Sequence, residues 1–161
     1  EHSKAQKYEA ALAKFSAWVE KEAATATEQQ KQLEISKHIA EAFPNWGFVG
    51  FYDARPGDKE KIYIGEYVSE SVFPCGEIAM GKGQCGQAAA ERKTLIAYDT
   101  KQLENYIACD DETRSEIVIP CFNEDGSFRT LLDIDSPNVG DFTQEDSDGL
   151  NAMLKLIYKL D

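Results

Sequence analysis

Residues 115–134 read Ser115-Glu116-Ile117-Val118-Ile119-Pro120-Cys121-Phe122, then Asn123-Glu124-Asp125-Gly126-Ser127, then Phe128-Arg129-Thr130-Leu131-Leu132-Asp133-Ile134. Two apolar, β-branched runs flank an Asp-Gly pair, which predicts an antiparallel hairpin with strands at 115–122 and 128–134. Downstream, Thr143-Gln144-Glu145-Asp146 predicts a helix cap, and Leu150, Met153, Leu154, Ile157 and Leu160 recur at helical spacing. Upstream, short β-rich segments are punctuated by Gly and Pro: Trp46–Tyr52, a turn at Pro56-Gly57-Asp58, Ile62–Val68, an irregular Phe73–Ile78 and Thr94–Tyr98. Gly81-Lys82-Gly83-Gln84-Cys85-Gly86 opens a short Ala-rich helix to about Arg92, and 105–114 reads as a loop.

The first 43 residues differ in kind. Tyr8, Leu12, Phe15 and Val19 predict an amphipathic helix over about 3–22. Thr25 with Glu28 has the form of a capping box, and Ile35, Ile39, Ala42 and Phe43 mark a second helix stopped by Pro44. Helices at both ends with hairpin-linked strands between them predict one α+β domain over 1–161. Its central antiparallel sheet has about six strands, with N-terminal helices (1–43) and a C-terminal helix (143–161) packed on the sheet and loop region (44–142).

The 161 residues are 42% hydrophobic, enough to fill a core, and carry a formal charge of −12. Residues 1–43 contribute only −1 of this, so 44–161 hold −11. Such a surplus of acid opposes a phosphate backbone and an anionic membrane surface, which argues against nucleic acid and membrane as partners. No apolar run is long enough to span a bilayer. The chain starts at Glu1 rather than Met, as a processed or trimmed chain would, and nothing in its first 30 residues has the form of a signal peptide. The expected location is cytoplasmic.

Four cysteines stand at 75, 85, 109 and 121, with no Cys-x-x-Cys pair and with His2 and His38 remote in sequence. That spacing does not predict a zinc site, and no metal is expected. Strand alternation puts Cys121 with Ile117 and Ile119 on a core face. Cys75, Cys85 and Cys109 lie in loops or at a loop–helix junction, where reactive groups concentrate. Cys85 falls near a helix start, where the helix dipole would favour a thiolate. Glu116 lies on the strand face opposite Ile117 and Ile119, and Asp133 and Asp135 share one face of the next strand. The two aspartates either face water at an edge or line a pocket for a cationic ligand, where close carboxylates can share a proton and supply it to a reaction. Trp46, Phe48, Gly50 and Tyr52 alternate onto one face, and Gly50 leaves room for a close approach to the backbone.

Taken in order, Phe73-Pro74-Cys75, Gly81-Lys82-Gly83-Gln84-Cys85-Gly86, Ile107-Ala108-Cys109-Asp110, Arg114-Ser115-Glu116-Ile117-Val118-Ile119-Pro120 and Leu132-Asp133-Ile134-Asp135-Ser136-Pro137 resemble the free methionine-(R)-sulfoxide reductases, single GAF-domain enzymes of antioxidant repair. The resemblance spans about residues 44–160. It implies that Cys109 attacks the sulfoxide, that Cys85 and Cys75 resolve or recycle it, and that Glu116, Asp133 and Asp135 form an acidic substrate pocket. Tyr52 matches the family's aromatic wall, with either Phe48 or Trp46 beside it. The implied substrate is free methionine-(R)-sulfoxide. The implied partner is a thioredoxin-type dithiol reductant, with no bound cofactor, and a homodimer follows from the resemblance alone. Two other readings use the same residues: a GAF-type sensor that binds a small ligand without turnover, and a thiol redox switch. Three acids in the pocket oppose a cyclic nucleotide's phosphate, and a simple thiol switch has no need of them.

Overall fold

A computed structural model describes residues 2–70, 72–107 and 112–161. Helices α1 (Lys4–Glu22) and α2 (Glu28–Ala42) precede a long hairpin of β1 (Phe48–Arg55) and β2 (Asp58–Ser69). Then follow β3 (Glu77–Ala79), α3 (Gly83–Glu91), β4 (Leu95–Ala97), a single 3-10 turn at Thr100–Gln102, β5 (Ser115–Phe122), β6 (Phe128–Ser136) and α4 (Gln144–Leu154). The strands form one antiparallel sheet in the order β3-β2-β1-β6-β5-β4. This is the α+β architecture that helices at both ends with hairpin-linked strands between them predict.

The β5–β6 turn closes with Gly126 N–H donating to Asn123 O (2.9 Å) and Asn123 N–H to Ser127 O (2.8 Å). Gly126 holds φ at +88°, a left-handed conformation that a side chain resists.

The two sheet faces carry different cores. Val49, Phe51, Ile117, Ile119, Cys121, Leu132 and Ile134 pack against Phe15 of α1, Ile35 and Ile39 of α2, and Leu150 and Met153 of α4. On the other face, Tyr52, Ile62, Val118 and Leu131 pack against Cys85, Ala88 and Ala89 of α3. Cys121 thus lies on the three-helix face, fully buried, as strand alternation predicts. Cys85 lies on the α3 face.

Three local readings shift. The capping box of α2 forms at Thr27 and Gln30, not at Thr25 and Glu28. Thr25 instead donates its hydroxyl to Glu22 O at the end of α1, because α1 is still closing there. Strand β1 begins at Phe48, two residues after Trp46. The last helix ends at Leu154 rather than running to 161. Beyond it the chain turns, so that Tyr158 donates to Glu28 Oε2 (2.5 Å) and Lys159 O accepts from Phe122 N (2.8 Å).

One buried acid ties α1 to α4. Asp146, fully buried, accepts from Lys4 Nζ (2.8 Å), Tyr8 Oη (2.6 Å) and the Thr143 N–H (2.9 Å) at the start of α4. No helix among the described residues is long and apolar enough to cross a membrane.

Candidate active site

The pairing register assembles the site. Across β5 and β6, Glu116 stands opposite Asp135 and Val118 opposite Asp133. Across β1 and β6, Phe48 stands opposite Asp135 and Gly50 opposite Asp133. Residues two apart share a face, so Phe48, Tyr52, Glu116, Asp133 and Asp135 all project to the α3 side. There they line one cavity of about 30 Å³ with Cys85. Glu116, Asp133 and Asp135 are each less than one-tenth exposed.

Gly50 owes its identity to protein packing. An added Cβ would come within 2.3 Å of Tyr67 Cβ on β2 and 2.8 Å of the Phe48 ring. The close approach read from the sequence is thus made by Tyr67, which stacks on Phe48 with ring centroids 5.5 Å apart. Phe48 is thereby fixed as an aromatic wall of the cavity.

Trp46 lies elsewhere. It precedes the strand, so the alternation that aligns Phe48 and Tyr52 does not extend to it. Its ring stacks on Phe43 (4.1 Å between centroids) in the three-helix core, and its Nε1 donates to Asp141 (3.2 Å). Cys75 follows the cavity-lining Pro74, is half-buried against the cluster that holds Tyr52, Ile78 and Cys85, and is disulfide-bonded. Cys85 and Cys121 are free thiols. Cys109 lies outside the described residues.

The electrostatics follow from burial. Desolvation, then the charges of Asp133 and Asp135, push the Glu116 carboxyl well up from its ordinary value, which favours a bound proton at neutral pH. Cys85 sits in the first turn of α3, as its sequence neighbours predict, yet its thiol is also pushed well up. The main cause is desolvation, followed by Asp133, Glu116 and Asp135, and these outweigh the helix dipole. Cys85 is therefore a protonated thiol, its Sγ 3.9 Å from Glu116 Oε2. The Tyr52 phenol is held protonated by burial first and Asp133 second, and it donates to the Cys75 carbonyl at 2.9 Å.

Cys85 Sγ and one carboxylate oxygen each of Glu116 and Asp133 lie within 4.8 Å of one another, donors that a metal ion could bridge. Spacing along the chain gives no sign of this trio, because its members come from α3, β5 and β6. Val72, Ile78, Lys82, Gln84, Tyr106 and Ile107 also line the cavity. Lys82, Gln84 and Ile107 fall inside the quoted motifs without having been singled out as site residues, whereas no motif marks Val72, Ile78 or Tyr106, which only the folded connections bring there.

No family model matches the chain. The free methionine-R-sulfoxide reductase of Saccharomyces cerevisiae is 36% identical over 115 residues, 71% of this chain and 62% of that protein, so the match spans less than two thirds of that relative. The free methionine-R-sulfoxide reductase of Neisseria meningitidis, solved in complex with its substrate, is 29% identical, with a TM-score of 0.86 over 97% of this chain and 89% of that one. The type II free methionine-R-sulfoxide reductase of Thermoplasma acidophilum is 30% identical, with a TM-score of 0.69 over 80% of this chain and 90% of that one. The architecture is that of GAF domains of known structure. This chain belongs to the free methionine-R-sulfoxide reductase family, built on the GAF fold.

Proposed function

We propose that this chain reduces free methionine-(R)-sulfoxide to methionine with thiol chemistry. The observation that carries the reading is the convergence of three buried carboxylates, two aromatic rings and a free thiol on one cavity. A free amino acid brings an α-ammonium, which offsets the mutual repulsion of Asp133 and Asp135 on a buried strand face. A peptide-bound methionine lacks that charge, so the acids select the free form. Phe48 and Tyr52 supply the apolar wall for the methyl group on the sulfoxide sulfur. The cavity is water-sized as it stands, so admission of an amino acid requires its lining to move.

The Cys109 thiolate attacks the sulfoxide sulfur while a protonated carboxyl, for which Glu116 is suited, gives its proton to the oxygen. Oxygen is transferred to Cys109 as a sulfenic acid and methionine leaves. Cys75 then condenses with the sulfenic acid, forming a disulfide and releasing water. Support for Cys75 over Cys85 in this step is that Cys75 is disulfide-bonded, whereas Cys85 is a buried, protonated thiol. A thioredoxin-type dithiol reopens the bridge, with no metal or organic cofactor in the cycle.

The test offers the protein free R-sulfoxide, free S-sulfoxide and a peptide-bound sulfoxide with a dithiol reductant. Turnover of the free R epimer alone is expected, and no turnover of it overturns the reading.

A further inference from the structure

Tyr52 does more than wall the cavity. Its ring is almost wholly buried on the central strand β1, and its carbonyl accepts from Thr130 Oγ1 at 2.9 Å, which fixes it to β6. Its hydroxyl donates to the carbonyl of Cys75 at 2.9 Å, across the cavity face of the sheet. The next carbonyl in that segment, Gly76 O, accepts from the Ile64 N–H of β2 at 3.0 Å. Pro74 restricts the chain just before Cys75, since its ring fixes φ. Cys75 is thus tied by two consecutive carbonyls to two different strands of the sheet, and one of those ties is a substrate-wall side chain.

We propose that the Tyr52 hydroxyl is a positioning group for the second half of the reaction: it holds Cys75 in place to close the disulfide. This rests on the thiol mechanism proposed above. In the step concerned, the Cys75 sulfur attacks the sulfenic sulfur of Cys109, an S–S bond forms, the S–O bond breaks, and the oxygen leaves as water with the thiol proton. Cys75 is oxidised and the sulfenic sulfur reduced, so no further oxidant is needed. A cysteine on an untethered loop closes more slowly, because the entropy of bringing it into line falls on the reaction step itself.

The experiment is a single turnover of fully reduced Tyr52→Phe with one equivalent of free methionine-(R)-sulfoxide, with dimedone present to trap sulfenic acid. Methionine release, dimedone adduct and disulfide are followed together. Loss of one hydrogen bond should raise the adduct formed per methionine released, and slow disulfide closure, by about threefold to tenfold relative to wild type. A ratio and a closure rate equal to wild type overturn the proposal. A wild-type protein that releases no methionine overturns the reductase reading instead. Hydrogen peroxide in place of the sulfoxide forms the sulfenic acid without the substrate pocket. Closure at the wild-type rate in Tyr52→Phe under peroxide also overturns the proposal, and slow closure supports it even where the variant handles substrate poorly.

Discussion

Glu116 and Asp135 face each other directly across the β5–β6 ladder, both buried, on the two strands that also carry Val118 opposite Asp133. Like charges in such a pair are destabilising, and burial adds to the cost. Glu116 relieves it by holding a proton, which makes its titration a property of the folded state.

The first prediction concerns pH. The folded Glu116 binds its proton more tightly than the unfolded chain does, so the stabilisation is fully present below its ordinary value of 4.5. It is lost as pH rises through the higher folded value. Glu116→Gln keeps the shape and cannot ionise. Its melting temperature should therefore fall less than that of wild type as pH is raised from the acid range past neutrality. Parallel curves for the two proteins in thermal denaturation would refute this account of Glu116.

Asp133→Asn and Asp135→Asn each remove a charge that the proposed function assigns to the substrate's ammonium. Each should lower kcat/KM for free methionine-(R)-sulfoxide by about 30- to 100-fold, given the worth of a charge-assisted bond. Steady-state kinetics decide this, and a change of less than threefold in both variants would place the ammonium elsewhere.

Gly50→Ala drives a methyl group into Tyr67 Cβ at 2.3 Å and the Phe48 ring at 2.8 Å. Overpacking of this kind costs about 1–3 kcal/mol. Denaturant unfolding should show that loss, and it should come with weaker substrate binding, because Phe48 must move. An Ala variant as stable as wild type would mean that β2 yields more readily than its pairing with β1 suggests.

Cys121→Ala should leave turnover near wild type, since Cys121 lies on the three-helix face of the sheet. Removal of its sulfur from a fully buried site should cost about 1 kcal/mol in unfolding experiments. Inactivation of a folded Cys121→Ala protein would contradict the separation of the two faces.

Asp146→Ala strips partners from Lys4, Tyr8 and the first turn of α4 together. A loss of about 3 kcal/mol is expected by urea titration, with activity retained in the fraction that stays folded. A shift below 1 kcal/mol would mean that α1 is held to α4 by apolar contact alone.

Much of this architecture is legible in the chain because alternation is a local rule. The 115–134 hairpin announces itself by its Asp-Gly turn, and the same alternation turns Glu116, Asp133 and Asp135 away from the Ile117 and Ile119 core. The rule misleads where a strand stops. Trp46 matches Phe48 and Tyr52 in parity, yet β1 starts at Phe48 and Trp46 packs with Phe43 instead. Non-local charge is the other blind spot. The helix start around Cys85 argues for a thiolate, but burial and three acids from β5 and β6 argue more strongly for a thiol. The Tyr52–Cys75 bond is equally invisible from spacing, since it depends on how the connection between β2 and β3 folds back over β1.

The hairpin tip at Asp125-Gly126 lies at the end of the β5–β6 ladder away from the acids. Phe122 lies six residues along β5 from Glu116, about 20 Å of extended chain. The tip is exposed, and its outward bonds are to the side chain of Arg92 and within the turn itself. It is therefore a natural splice point. A reporter protein inserted there would ride on the same two strands that carry the acids, a mechanical linkage through which occupancy of the pocket could be read as light.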